Sequence, residues 1–398
     1  MNHHTTTAGR TTVSALAVGV AAALTVISCG SAPAPTAAPL PCDVGAGPVG
    51  LAVGQRQNTP AVRIDGTVRA VLARAVEAAA PVTVVAVDGD PAAVRKFPAV
   101  DLPNSSAAAA EAATEAVTAV TGAVSGVRAA APEADVLTAL AVTADAARAA
   151  GPEGTVVLVD SGLQTVAPLD FTRPGILAAD PAEVVQFLRA SGQLPDLSGT
   201  AVLYAGLGAT AAPQDRLTDS QVAHLEALYR ALAEAAGARC VAVVDHTPST
   251  AAVGDVPPVS PVPVPDPVSV TAADTGPIVL DATTVAFRPD TADLVDPAAA
   301  DQILAPLIAR LTEEPERTVT LTGTCASGTG HGPDPVTLSG ARASTIAGRL
   351  IAAGIAPDRI TTYGVGTAFV EFVTDLDADG TLLPGPAAQN RTVRITVH

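Results

Sequence analysis

The sequence contains no tryptophan and a single lysine, Lys96, so arginine carries nearly all of its positive charge. This balance indicates a GC-rich coding bias more than a function. The formal net charge is −17. Nucleic-acid binding is therefore not expected, because it depends on neutralising phosphates with lysine and arginine. Attachment to a membrane through a polybasic surface is excluded on the same ground. A length of 398 residues allows two to three domains, each with its own core.

Long hydrophobic runs are also missing, since none reaches the ~18 residues needed to span a bilayer. The apolar stretch Val13 to Ile27 is instead typical of a signal peptide. It leads into Val26-Ile27-Ser28-Cys29, which resembles a bacterial lipobox. The resemblance implies that residues 1–28 are removed and that Cys29 is lipidated, whereas an ordinary secretory signal is the alternative. Residues 29–41, rich in proline and alanine, predict an extended tether. The expected location is the cell membrane, with a lipid anchor and the protein on the extracytoplasmic, cell-wall face.

Cysteine is scarce, and such an envelope compartment permits disulfides. Apart from Cys29, the chain has Cys42, Cys240 and Cys325, so at least one is free or pairs between chains. Cys42 and Cys240 flank predicted strands of one domain and could pair, but the sequence leaves their distance open. No C-x-x-C occurs and the six histidines are scattered, so we expect no metal site and no cofactor.

Residues 42–250 alternate between strand and helix patterns. The predicted strands are Val49–Val53, Val82–Asp88, Thr155–Asp160, Ala201–Tyr204 and Cys240–Val244. The predicted helices are Val68–Ala79, Ser106–Ala130, Ala134–Ala149, Pro181–Ala190 and Ser220–Ala236. Runs such as TVVLV are continuously apolar, as strands covered on both faces should be. The alternation predicts a doubly wound, mostly parallel α/β sheet.

Polar residues follow the predicted strands, where such sheets usually carry their chemistry. These strand ends are Asp88-Gly89-Asp90, Asp160-Ser161-Gly162, Gly206-Leu207-Gly208 and Asp245-His246. The order of strand-Asp, long helix and strand-DSG resembles a von Willebrand A-like or related Rossmann-like domain. That family's metal site needs D-x-S-x-S, which Asp88-Gly89-Asp90-Pro91 does not supply. Capping of helices and turns is therefore favoured at these positions.

Enzymatic motifs are incomplete in the same region. Gly206-Leu207-Gly208 lacks the third glycine of a dinucleotide site, and Ser161 is not within G-x-S-x-G. We predict no catalytic residues and expect the chain not to be an enzyme, with a hydrolase or nucleotide-dependent enzyme as the alternative. Residues 251–277, which include the proline-rich Pro257–Pro267, predict an extended linker to a second domain at 278–398.

The second domain is predicted from a series of motifs. Its first strand and helix are expected at Val279–Phe287 and Ala298–Leu311, followed by a strand over Thr318–Thr322. The segment from Leu338 to Gly366 then predicts a helix capped by Ser339 and ended by a left-handed Gly354, followed by a strand over Ile360–Tyr363. Asn390-Arg391 opens the last strand, TVRITV.

The LSxxRA helix, the following Gly-Ile, the G-x-G and the NR pair together resemble the OmpA-like C-terminal domain over about Ile278 to His398. The resemblance implies an α+β fold with helices on one face, and non-covalent binding of peptidoglycan through the diaminopimelate residue of its stem. In that family an aspartate holds the ammonium group and the LSxxRA arginine holds the carboxylate. Arg342 matches this arginine, and Thr324, Asn390 and Arg391 fall at further site positions, where the NR pair mostly orders the loop.

Two family residues are not matched. Ala326 stands where the aspartate is expected, and the asparagine before LS falls on or near Pro335. Asp334 or Asp290 could supply a substitute carboxylate from a neighbouring loop. Losing one charge of the clamp predicts binding about ten- to a hundredfold weaker, since a charge-assisted contact contributes about 1.5–3 kcal/mol. Peptidoglycan is therefore the expected partner, and the alternative is an envelope scaffold whose OmpA-like domain docks another protein.

The segment Asp375-Leu376-Asp377-Ala378-Asp379-Gly380 resembles the start of a calcium loop. Its twelfth position is Pro386, where calcium needs a bidentate glutamate. An Asp-rich turn is therefore the favoured interpretation.

Overall fold

A computed structural model describes residues 40–398, except 41, 43, 45–46, 65, 245, 248, 250, 265–275, 289 and 329–332. The predicted signal peptide and the lipobox at Cys29 lie outside these residues. Of the predicted tether, residues 29–41, only Leu40 is described. Residues 40–398 group as one compact unit. Every helix in the described part of the chain is too short or too polar to cross a membrane.

The first half of this unit is an α/β layer built on a six-stranded sheet. The strands are β1 (Val49–Val53), β2 (Val82–Ala86), β3 (Ala92–Phe97), β4 (Thr155–Val159), β5 (Ala201–Ala205) and β6 (Cys240–Val244). The helices are α1 (Gly66–Glu77), α2 (Ser106–Gly126), α3 (Val136–Ala150), α4 (Pro181–Ala190) and α5 (Asp219–Ala235), with a 3-10 helix at Ile176–Ala178. The strand order is β3-β2-β1-β4-β5-β6, and all pairs are parallel except β2 with β3. The predicted mostly parallel α/β sheet is therefore confirmed.

Burial explains which strands the sequence revealed. All residues of β1, β2, β4 and β5 are buried, so their runs are apolar except at Thr83 and Thr155. Strand β3 was not predicted because its sequence, AAVRKF, is polar at its end and largely exposed at the sheet edge. Arginine and lysine on an edge strand discourage pairing with other chains. Cys42 and Cys240 form a disulfide with a Cα–Cα distance of 6.1 Å, which ties the segment before β1 to β6.

Part of the predicted linker packs against the α/β layer. Val259 and Val262 are 4% and 2% exposed, and the side chain of Gln214 bonds both the amide and the carbonyl of Val262, at 2.6 and 2.9 Å. Asn58 donates to the carbonyl of Val259, and the hydroxyl of Ser260 donates to Glu133. We call residues 251–264 the strap. The first part of the predicted linker 251–277 therefore lies against the first folded region, whereas residues 265–275 lie outside the described residues, and the domain boundaries stay a prediction.

The C-terminal region is an α+β sandwich, as predicted. Its strands are β7 (Ile278–Leu280), β8 (Val319–Gly323), β9 (Ile360–Gly364) and β10 (Val393–Val397), in the order β7-β10-β8-β9. Its helices are α6 (Pro297–Glu313), α7 (Pro335–Ala352) and α8 (Pro384–Asn390), with a 3-10 helix at Pro357–Arg359. Alternate residues of β8 and β10 are buried against α6 and α7, which form one core with the sheet.

Two details of this region differ from the prediction. The first strand ends at Leu280 rather than Phe287, because Asp281 starts a turn by accepting bonds from the amides of Thr283 and Thr284. Helix α7 begins one turn earlier than predicted: Asp334 is its cap and accepts a bond from the amide of Thr337. Ser339 is therefore a buried residue inside the helix. Gly354 does follow the helix with a φ of +98°, as predicted.

Candidate functional site

The carboxyl ends of β1 and β4 meet at the point where strand order reverses, the usual ligand position in such sheets. Here a buried ion pair fills it. The guanidinium of Arg56 donates to Asp160 Oδ1 at 2.9 Å, and the two side chains are 1% and 0% exposed. The remaining cavity, lined by Asp160, Ser161 and His246 among others, measures about 20 Å³. That is space for about one water molecule.

In this arrangement the D-x-S-x-S metal motif has to be compared with the residues after β1, and not with Asp88-Gly89-Asp90-Pro91. The first strand of the sheet is β1, and the residues after it are Gly54-Gln55-Arg56-Gln57-Asn58. A permanently charged guanidinium thus stands where hydroxyl ligands would follow the strand. Asp88 accepts bonds from the amides of Ala130 and Ala131 at 2.7 and 3.1 Å, so it caps a loop as the favoured interpretation predicted. Among the described residues, no three acidic, cysteine or histidine side chains converge to hold a metal ion.

Ser161 is held in the same cluster. Its hydroxyl oxygen accepts bonds from Arg56 at 3.2 Å and from the amide of Leu163 at 3.3 Å. A nucleophilic serine needs a base that accepts its proton. Gly206 and Gly208 have φ of +81° and +74°, as glycines of a tight turn. The expected absence of enzymatic activity stays a prediction.

In the C-terminal region, α7 lies directly against the sheet because glycines remove side chains at the contact. A Cβ on Gly323 would overlap the backbone of Ser339, and one on Gly364 would overlap Gly340 and Val336. This close approach fixes the first turns of α7, and with them Arg342. The Nε of Arg342 donates to the carbonyl of Thr291 at 2.9 Å, and its guanidinium lies 5.3 Å from the centre of the Phe287 ring. Burial lowers the pKa of Arg342 below the usual value, although the group stays charged.

The three residues that follow β8, Thr324, Cys325 and Ala326, are buried. The hydroxyl of Thr324 donates to the carbonyl of Asn390 at 2.6 Å, so its side chain ties β8 to the end of α8. Thr324 is 1% exposed, and its hydroxyl is engaged with the backbone that leads into the last strand, so its assignment as a ligand contact stays a prediction. Cys325 is a free thiol and 5% exposed, and burial raises its pKa. Ala326 is also 5% exposed.

Asn390 holds the preceding loop. Its amide nitrogen donates to the carbonyl of Val373 at 2.7 Å and to Asp375 at 2.9 Å, and its oxygen accepts from the amide of Val373 at 3.0 Å. This is the loop-ordering role first predicted for the NR pair. The other Asp375 contact is with the amide of Ser327, whereas Asp377 accepts from the amides of Asp379 and Thr381. The acidic segment is thus an Asp-rich turn. Its first two carboxylates accept bonds from different segments: Asp375 from Ser327, and Asp377 from within the turn.

Arg391 differs from its partner in the NR pair. It forms a two-pronged ion pair with Glu183 of α4, in the α/β layer, with one bond at 2.6 Å. Arg391 lies close enough to Arg342 to help lower the pKa of Arg342, and Cys325 lies near both arginines. We call Arg342 and Arg391 the arginine site.

The carboxylates around the arginine site come from an unpredicted source. Of the two suggested substitutes, Asp334 caps α7, and Asp290 favours the charge on Arg342. Asp180, the cap of α4, also favours that charge, and Glu183 bonds Arg391 directly. Burial raises the pKa of Glu183, and the bonds from Arg391 offset this only in part. Sequence reasoning missed both residues of α4 because their helix belongs to the other folded region.

Comparisons with known proteins agree with the motif series. Residues 286–379 match the model of the OmpA family. No curated protein matches the chain. Similar solved structures include a MotB-like protein from Desulfovibrio vulgaris, with 23% identity over 31% of this chain and 74% of that one and a TM-score of 0.26. The OmpA-like domain of FopA1 from Francisella tularensis subsp. tularensis SCHU S4 has 19% identity over 30% of this chain and 71% of that one, with a TM-score of 0.23. The peptidoglycan-associated lipoprotein from Burkholderia pseudomallei has 16% identity over 33% of this chain and 100% of that one, with a TM-score of 0.25. The finer resemblance of the first region to a von Willebrand A-like domain stays a prediction. The chain therefore carries an OmpA family domain at its C-terminus, at residues 286–379.

Proposed function

We propose that this protein is a cell-envelope lipoprotein that associates non-covalently with peptidoglycan through its C-terminal domain. The observation that carries the proposal is the position of Arg342 in the OmpA family domain, on the first turns of α7 beside Arg391. A planar guanidinium pairs with a carboxylate through two parallel hydrogen bonds, and the stem peptide offers carboxylates. Thr291 and Phe287 orient the Arg342 side chain, which reduces the entropy lost on binding.

The remaining parts of the chain fit an anchored binding protein. We propose that Cys29 carries the lipid that holds the chain at the membrane, and that residues 42–264 form a non-enzymatic interaction platform. The buried Arg56–Asp160 pair at the switch point supports this role, because it closes the place where a substrate would enter the sheet.

The test is co-sedimentation of the full chain with purified peptidoglycan. Arg342→Ala is expected to lower the retained fraction about tenfold or more, since a charge-assisted bond to the stem carboxylate is lost. The matched control is Arg349→Ala, on the same helix, which removes an ion pair with Asp301 and leaves the arginine site intact. Equal retention of the wild type and the Arg342→Ala variant would contradict the proposal.

A second candidate function is an envelope scaffold whose OmpA family domain docks a protein instead of glycan. The observation in its favour is Ala326, which is buried and offers no charge for a stem ammonium group. This scaffold would show no retention on peptidoglycan in any variant.

A further inference from the structure

The α/β layer meets the C-terminal region at Arg391, one of the two residues of the arginine site. Glu183 and Arg391 have side chains that are 22% and 24% exposed, so their ion pair is largely withdrawn from water. The two residues are 208 positions apart in sequence. Withdrawing such a pair from water costs desolvation free energy, which its attraction and its hydrogen bonds have to offset.

The backbones next to this pair are also fitted to each other. A Cβ on Gly175 would overlap the carbonyl of Gly385 in α8, and a Cβ on Gly385 would lie 2.9 Å from Ile176 Cδ1. Gln389 donates from its side chain to the carbonyl of Pro174 at 3.0 Å. Ala388 of α8 is 4% exposed within the core that the α/β layer forms around α3, α4 and α5. The contact therefore combines a close backbone approach with buried apolar surface.

Asp180 extends the contact towards the other arginine. It caps α4 by accepting bonds from the amides of Ala182 and Glu183 at 2.8 and 3.3 Å. The N-terminus of α4 thus brings two carboxylates near the arginine site: Glu183 bonds Arg391, and Asp180 favours the charge on Arg342. The OmpA-like resemblance expects an acidic residue at the position of Ala326, which supplies none. In this structure the guanidinium of Arg391 already holds a carboxylate in the geometry that an external one would take.

We propose that the first turn of α4 is an intramolecular occupant of the arginine site, and that it competes there with the carboxylates of an external ligand. The α/β layer then regulates wall binding: the closed arrangement occupies Arg391 beside Arg342, and opening frees Arg391 for an external carboxylate. This inference rests on the proposed function, because competition requires that the site bind peptidoglycan. Burial, together with the charges of Asp180 and Asp290, outweighs Arg391 and raises the pKa of Glu183, which suits a contact that can open.

The test uses the full chain and a charge reversal on the α/β side. Glu183→Arg places two guanidinium groups together and is expected to open the contact without changing any residue of the OmpA family domain. The matched control is Gln186→Arg, which adds the same charge one turn further along α4, at an exposed position. A second opening variant, Gly385→Val, inserts a side chain against Ile176. Hydrogen exchange at the amides of Gly385–Asn390 reports opening independently of any ligand, and circular dichroism confirms folding.

Co-sedimentation with purified peptidoglycan then gives the result. Both opening variants are expected to raise the apparent affinity about tenfold, or about 1.4 kcal/mol, over the wild type and Gln186→Arg. Adding Arg342→Ala to Glu183→Arg should abolish the gain. Unchanged retention in variants that exchange faster would overturn the inference and leave the proposed function standing. Weaker retention would overturn it too, because Glu183 would then belong to the ligand site. If no variant is retained, the proposed function fails, and the competition fails with it.

Discussion

The buried pair of Arg56 and Asp160 gives the sharpest prediction for stability. Arg56→Met and Asp160→Asn are each expected to lower the free energy of unfolding by about 3–5 kcal/mol, because each leaves a buried group without its partner. Two unit charges about 4 Å apart attract by about 4 kcal/mol at an effective dielectric constant of 20, which agrees with this range. Each residue keeps weaker partners: Asp160 accepts from the amide of Gly162 at 2.7 Å, and Arg56 donates to Ser161 at 3.2 Å. These contacts place the expected losses at the lower end.

The double variant distinguishes the ion pair from simple packing. Arg56→Met with Asp160→Asn is expected to cost about 2–3 kcal/mol less than the sum of the single losses, because neither charge remains buried alone. Urea unfolding followed by tyrosine fluorescence measures this, since Tyr204 and Tyr229 are fully buried in the α/β layer and the chain has no tryptophan. Tyr363, the third tyrosine, is 55% exposed in the other domain. Losses that add to within about 0.5 kcal/mol would refute the reasoning.

Three further predictions concern the disulfide, the strap and the free thiol. Replacing Cys42 and Cys240 by serine should lower the free energy of unfolding by about 2–5 kcal/mol, because the disulfide joins residues with a sequence separation of 198. A melting temperature that does not change under reduction would contradict this. Burial raises the pKa of Glu133, but its bonds with Thr165 and Ser260 outweigh burial and lower it below 4.5. The stabilisation from Glu133 is therefore present above about pH 4.5 and is lost as the pH falls through the lowered pKa. The melting temperatures of wild type and Glu133→Gln should converge on acidification, and a gap that widens would show the opposite sign. Cys325 should react slowly with iodoacetamide at pH 8 in the native protein and rapidly in urea, because burial raises its pKa and excludes the reagent.

The sequence was sufficient for most of the sheet of the α/β layer. Strands buried on both faces are largely apolar, and this constraint produced the runs that predicted β1, β2, β4 and β5. Strand β6 is only partly buried, but its sequence, CVAVV, is apolar as well. The exposed edge strand β3 has no such constraint, so its pattern does not differ from that of a loop. The cap of α7 was misplaced for a related reason. Ser339 is a good capping residue by type, but Asp334 lies before Pro335, which is suited to the first helical position.

Half of the candidate site was predictable. Arg342 was found because a motif fixes its place on α7. Thr324 was assigned because it lies two residues before Ala326, where the OmpA-like resemblance expects an aspartate. Such a match in position carries no information on burial. Glu183 could not be found, since an ion pair across 208 residues leaves no local pattern in either segment. Its only sequence signal is a carboxylate in the first turn of a helix, which many helices have for the sake of the helix dipole alone.

The strap shortens the connection between the two folded regions. It therefore strengthens the competition of Glu183 with an external ligand for Arg391. Because residues 251–264 are fixed to the α/β layer by Gln214, Asn58 and Glu133, only about 13 residues connect Val264 to the start of β7. A linker of about half the predicted length raises the effective local concentration of the tethered group about threefold, since that concentration falls as the −3/2 power of length. To displace Glu183, the concentration of a wall fragment relative to its own dissociation constant would have to exceed the same ratio for the tethered Glu183. Dense peptidoglycan should therefore open the protein where dilute fragments cannot.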